Sequence, residues 1–177
     1  MNLELKSIKY TEWMSEETLC FTANLWVDGK VFAEVSNQGH GGCTDVHMHS
    51  KSAFGKSGKR TSFFRRLKEV QAHCKSMPSL EPCALFGAEG LKTFSEGLPM
   101  NLELWCNMEV EEFLARRDLK RKLKSHVLFQ IDGKDGIYQT KYHPRKTDGS
   151  WTVFGSEKRR ILNDMSEVDA LAIWRAN

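Results

Sequence analysis

Polar and apolar residues alternate through the first part of the chain in a way that predicts strands. Residues 3–10 read as a first strand, followed by a polar turn through Met14-Ser15-Glu16-Glu17. Leu19, Phe21, Ala23, Leu25 and Val27 then alternate with Cys20, Thr22, Asn24 and Trp26, the period-two pattern of a strand with one core face. Asp28-Gly29 follows at once, and both residues tolerate the positive φ that a type I′ hairpin turn demands. Val31, Ala33 and Val35 resume the alternation on a return strand.

Beyond a glycine-rich loop over residues 37–60 the period changes. Phe63, Phe64, Leu67, Val70, Cys74 and Met77 recur at helical spacing, and Pro78 closes that element. Residues 78–100 hold Pro78, Pro82 and Pro99 with three glycines, which predicts an irregular connection with room for one short element. A second helix is expected from about Asn107, as N-cap, to about Lys124. Glu109, Glu111 and Glu112 would fill its first turn and Arg121, Lys122 and Lys124 its last, an arrangement that complements the helix dipole. His126–Ile131 and Ile137–Tyr142 predict a C-terminal hairpin around Asp132-Gly133-Lys134-Asp135-Gly136, with Trp151–Phe154 and Arg160–Leu162 as further strand candidates. Ser166-Glu167-Val168-Asp169 is a capping box that opens a last helix, with Val168, Leu171 and Ala172 on its apolar stripe. The order strands, helices, strands, helix predicts an α+β fold: a largely antiparallel sheet, about three helices, and one domain over residues 1–177.

The chain's 177 residues can bury a core unaided, and 40% apolar with 28% charged residues excludes a disordered tail or a fibre. The longest apolar stretches, such as Val127-Leu128-Phe129, fall far short of the ~20 residues of a membrane span. The N-terminus lacks the apolar core of a signal peptide, so the expected location is the cytoplasm, with no membrane partner. Five cysteines (Cys20, Cys43, Cys74, Cys83, Cys106) without a CxxC pair fit small side chains in a reducing compartment, four of them among apolar neighbours. The five tryptophans, Trp13, Trp26, Trp105, Trp151 and Trp174, read as core and edge packing.

Charge changes the picture more than composition does. The net charge of +3 hides blocks of −4 (residues 1–50), +7 (51–77), −6 (78–112), +7 (113–146) and −1 (147–177). Two basic clusters account for this: Lys56, Lys59, Arg60, Arg65, Arg66 and Lys68 at a helix entrance, and Arg116, Arg117, Lys120, Arg121, Lys122 and Lys124 at a helix exit. Phosphate backbones attract such clusters through counterion release, so the expected partner is nucleic acid, a nucleoprotein complex, or an acidic protein surface. The plain alternative is a solvated helix face.

A second candidate is the loop Ser36 to His49. If residues 43–49 are extended, Cys43, Asp45, His47 and His49 share one face, and all three residue types ligate transition metals. The spacing matches no standard zinc pattern, and the glycines at 39, 41 and 42 also suit a simple turn or the approach of backbone N–H groups to an anion. Gly55-Lys56-Ser57-Gly58-Lys59-Arg60 is not a P-loop, because Ala53 and Arg60 stand where a glycine and a Ser or Thr are needed.

Short motifs along the chain, Ser15-Glu16-Glu17-Thr18, Phe21-Thr22-Ala23, Val27-Asp28-Gly29-Lys30, Val35-Ser36-Asn37 and Gly39-His40-Gly41-Gly42, resemble small proteins encoded on plasmids, phages and integrated elements. Arg117-Asp118-Leu119-Lys120, Val127-Leu128-Phe129, Ile137-Tyr138-Gln139 and Ile161-Leu162-Asn163-Asp164 extend the resemblance over most of the chain. That family is uncharacterised and implies no active site. It implies a mobile-element accessory protein in a bacterial host, by analogy an inhibitor of host defence of the anti-CRISPR type. The leading expectation is thus a non-enzymatic binding protein without cofactor or metal, its basic surface on nucleic acid or a defence complex. The alternative is a metal-dependent hydrolase or nuclease that uses Cys43, Asp45, His47 and His49, with His40 as general base.

Overall fold

The computed structural model describes residues 1–50, 60–80, 83–87, 90–94, 97–141 and 159–177. The chain is α+β. Its contacts gather into two compact units, Met1–Val110 and Glu111–Asn177, and the boundary falls inside one helix.

In the first unit, strands β1 (Leu3–Tyr10), β2 (Cys20–Val27), β3 (Lys30–Gln38) and β4 (Asp45–Met48) form an antiparallel sheet in chain order. The hairpin turn is as the sequence requires: φ is 50° at Asp28 and 75° at Gly29. Phe21, Ala23, Leu25 and Val27 are all buried on one face of β2. The return strand differs from expectation. Leu25 pairs with Ala33 but Trp26 with Val31, so Phe32 is an extra residue in β3, a bulge. The bulge sets Val31 opposite Trp26 and leaves Phe32 and Ala33 both buried, where simple alternation puts Val31, Ala33 and Val35 together.

Phe32 uses that position to stack on Phe63 of helix α1 (Arg60–Lys75), with ring centroids 4.9 Å apart. Val70 and Cys74 are buried further along the same helix. Residues 78–100 hold more structure than expected, an antiparallel pair β5 (Cys83–Gly87) and β6 (Gly90–Phe94). Helix α2 runs from Leu102 to Ser125, well over a turn longer at its start than the charge pattern suggests. The side chain of Asn101, not Asn107, accepts from the Leu104 N–H at 2.8 Å, so Asn101 is the cap. Glu109, Glu111 and Glu112 consequently lie in mid-helix, and Glu103 is the acid of the first turn.

In the second unit, β7 (His126–Ile131) lies between β8 (Tyr138–Lys141) and β9 (Arg159–Ile161), antiparallel to both. Leu119, Leu128, Leu162, Ala170 and Leu171 form its core. Asn163 ties three pieces of backbone together: its Oδ1 accepts from Leu128 N–H (2.8 Å), and its Nδ2 donates to the carbonyls of Leu123 (3.3 Å) and His126 (3.1 Å). Helix α3 (Glu167–Arg175) opens on the expected cap, Ser166 Oγ accepting from Asp169 N–H at 3.2 Å. Its inward stripe is Ala170 and Leu171 with Ile173 and Trp174 partly buried; of the residues expected beside Leu171, Val168 is 77% exposed and Ala172 is exposed too. The strand candidate Trp151–Phe154 lies outside the described residues. No helix among the described residues is long and apolar enough to cross a membrane.

Candidate nucleic-acid interface

The two basic clusters meet different fates. In the first, Lys56 and Lys59 lie outside the described residues, and Arg60 starts α1. Arg66 is committed to the fold: its Nη2 donates to Asp28 Oδ2 and its Nη1 to Glu69 Oε2, each at 2.7 Å. These contacts, led by the hydrogen bond to Glu69, raise its pKa further. Asp28 moves the opposite way. The Asn2 backbone N–H, 2.9 Å from Oδ1, is the main cause, and the Arg66 guanidinium adds to it.

With Arg66 and Glu69 holding each other, the outward face of α1 is left cationic. Arg65, Lys68 and Lys75 are exposed and, among the described residues, form no ion pair. Phe64, 52% exposed, Thr61 and Gln71 are exposed on the same side of the helix. Lys75, outside the basic clusters singled out in the sequence, lies seven residues from Lys68 and so on the same stripe.

The second cluster is largely neutralised within its own unit. Arg116 lies 2.6 Å from Glu112 and 3.6 Å from Glu167, and Lys120 lies 3.2 Å from Glu167. Arg117 and Arg121 flank Asp118 Oδ1 at 3.5 and 3.4 Å. Glu112, set in mid-helix by the early start of α2, also reaches Arg175 at 3.6 Å. Lys122 Nζ donates to Gln139 Oε1 at 3.1 Å. Lys122 and Lys124 are the members of this group without an ion pair among the described residues, and Lys124 is exposed.

The histidine-bearing loop is built for structure. Asn37, buried at the end of β3, accepts from Thr18 Oγ1 (2.8 Å) and Gly39 N–H (2.9 Å) and donates to the Gly42 carbonyl (2.9 Å). The Gly39 carbonyl accepts from the N–H groups of Glu16, Glu17 and Thr18 at 3.0, 2.9 and 3.3 Å. Gly39 sits at φ +87°, and a Cβ there would strike the Met14 carbonyl, so only glycine fits. Gly41 N–H also turns inward, toward Thr18 Oγ1 at 3.4 Å, so these amides are spent inside the loop. His40 Nδ1 lies 3.1 Å from Glu16 Oε2 at the exposed rim. Asp45 and His47 do share the exposed face of β4, and Cys43 is exposed just before it. Among the described residues, however, no three His, Cys, Asp or Glu side chains gather into a group suited to an ion.

Among the described residues, the other cysteines are poor nucleophile candidates. Cys20, Cys74 and Cys106 are buried and free. Burial pushes the Cys106 thiol up to about 12, and it raises Cys74 as well. Among the described residues Trp13 departs from the packing role: on a 3-10 turn over Glu12–Met14, it is 82% exposed. Trp26 is half-buried, with Lys6 Nζ 4.2 Å from its ring centroid.

No family model matches this chain, no curated protein matches it, and no solved structure matches it.

Proposed function

We propose that the chain is a non-enzymatic binding protein that holds nucleic acid against the outward face of α1. One observation carries this reading. Arg65, Lys68 and Lys75 project from one helix without ion pairs among the described residues, while the one acid of that helix, Glu69, is held by Arg66. Phosphates are attracted to uncompensated cations, and a charge already paired has less to gain by releasing counterions from a partner. The interface therefore narrows from two clusters to α1. A setting consistent with the sequence resemblance is a phage or plasmid protein that engages the nucleic acid of a host-defence complex, as an anti-CRISPR-type inhibitor would.

The test is salt-dependent binding to a defined duplex. Three engaged phosphates give a slope of log K against log salt of about −2 to −3. Replacing Arg65, Lys68 or Lys75 by Gln is expected to shallow the slope by about one each, with little effect on stability. Arg116→Gln and Arg121→Gln are expected to change affinity little. If these α2 variants abolish binding and the α1 variants do not, the assignment to α1 is wrong. Tighter binding to polyglutamate than to nucleic acid would identify an acidic protein as the partner instead.

A further inference from the structure

A cleft of about 450 Å³ opens in the first unit between the β2–β3 turn and α1, lined by Val27, Asp28, Lys30, Val31, Phe32, Ser62, Arg65, Arg66 and Glu69. Its volume falls in the roughly 300–1,000 Å³ range of small-ligand sites. Three kinds of surface meet in it. Val27, Val31 and Phe32 supply apolar carbon, and Phe32 is there because of the bulge in β3. From α1, Ser62, Arg65, Arg66 and Glu69 recur at the spacing that puts them on one helix face. Lys30 and Arg65 are exposed and, among the described residues, carry no ion pair.

Arg66 gives this cleft a feature that plain electrostatics does not require. Its guanidinium is fixed by two 2.7 Å hydrogen bonds to opposite partners, Asp28 and Glu69, yet its side chain keeps 30% of its exposure. A planar cation held rigid at the wall of an apolar cleft is a stacking surface, and unpaired bases stack on arginine planes as they do on aromatic rings.

We propose that the cleft takes one unpaired base of a single strand, with that nucleotide's phosphates on Lys30 and Arg65. The inference rests on the reading of α1 as a nucleic-acid interface and specifies its ligand. The base would lie against Arg66 and the apolar floor. The remaining acceptor capacity of Asp28 and Glu69 would face its edge. A duplex keeps its bases inside the stack and would reach only the outer cations.

The experiment compares four fluorescent probes at one salt concentration: a 12-nucleotide DNA strand, the same strand with abasic sites, its duplex, and polyglutamate of equal charge. The single strand is expected to bind about tenfold or more tighter than the duplex and the abasic strand. Ser62→Trp, which fills the cleft from the middle of the helix face, is expected to remove that preference and leave duplex binding unchanged. Thermal melting confirms that the variant is folded; should it not be, the abasic strand alone decides, since it alters the ligand and not the protein. Equal affinity for single strand, abasic strand and duplex overturns the cleft and leaves the α1 interface standing. Binding to none of the nucleic acids overturns both. Polyglutamate binding as tightly as the single strand overturns the base as the recognised group.

Discussion

Asp28 does three jobs with one small side chain. It takes the positive φ of the hairpin turn, accepts the Asn2 N–H, and anchors Arg66. Because its pKa in the folded chain lies below the ordinary value of 3.8, its charged form is favoured by folding. The stabilisation is present above the unfolded pKa and disappears as pH falls through the lower, folded one. Asp28→Asn keeps the turn chemistry and removes the charge. Denaturant melts from about pH 7 to pH 3 should show the native chain the more stable at neutral pH and the difference closing in acid; a constant difference would refute it. Its neighbour Gly29, at φ +75° with nothing within 4 Å of a notional Cβ, has space but not the backbone freedom for another residue. Gly29→Val should therefore cost about 1 kcal/mol or more, through conformation alone, and a neutral melt would refute it.

At the scale of elements, the start of α2 separates a local cap from a local charge pattern. Asn101→Ala removes the acceptor for Leu104 N–H and should lower stability by about 1 kcal/mol. Asn107→Ala, at the position the acidic run suggests, should be close to neutral because it lies within the helix. Equal losses at both positions would contradict the cap. The β2–β3 hairpin was readable because its turn residues and its alternation are both local signals. The bulge at Phe32 was not, since it answers to Phe63 in a helix that follows later. The pair β5–β6 was hidden by prolines and glycines that look like punctuation. In α3 the cap was legible but the stripe was not: Val168 is apolar by type, yet Ala170 and Leu171 face the core.

Over the whole molecule, the sequence shows where cations are concentrated but not which of them are free. Arg66 meets Asp28 across 38 residues, and Lys120 meets Glu167 across β7, β8 and β9, so those two neutralisations are tertiary, whereas Arg116, Arg117 and Arg121 also find acids within α2 itself. Acids at Glu112, Asp118 and Glu167 are why two clusters of similar composition separate into a paired one and an open one. The same distance in sequence matters at Asn163. The end of α2 lies near residue 125, but the side-chain amide that satisfies its Leu123 carbonyl arrives 40 residues later. During synthesis, at about 5–20 residues per second, the last turn of that helix must wait on the order of seconds for its partner to be made. The helix is thus finished from outside, by a residue added seconds after its own last turn has been made.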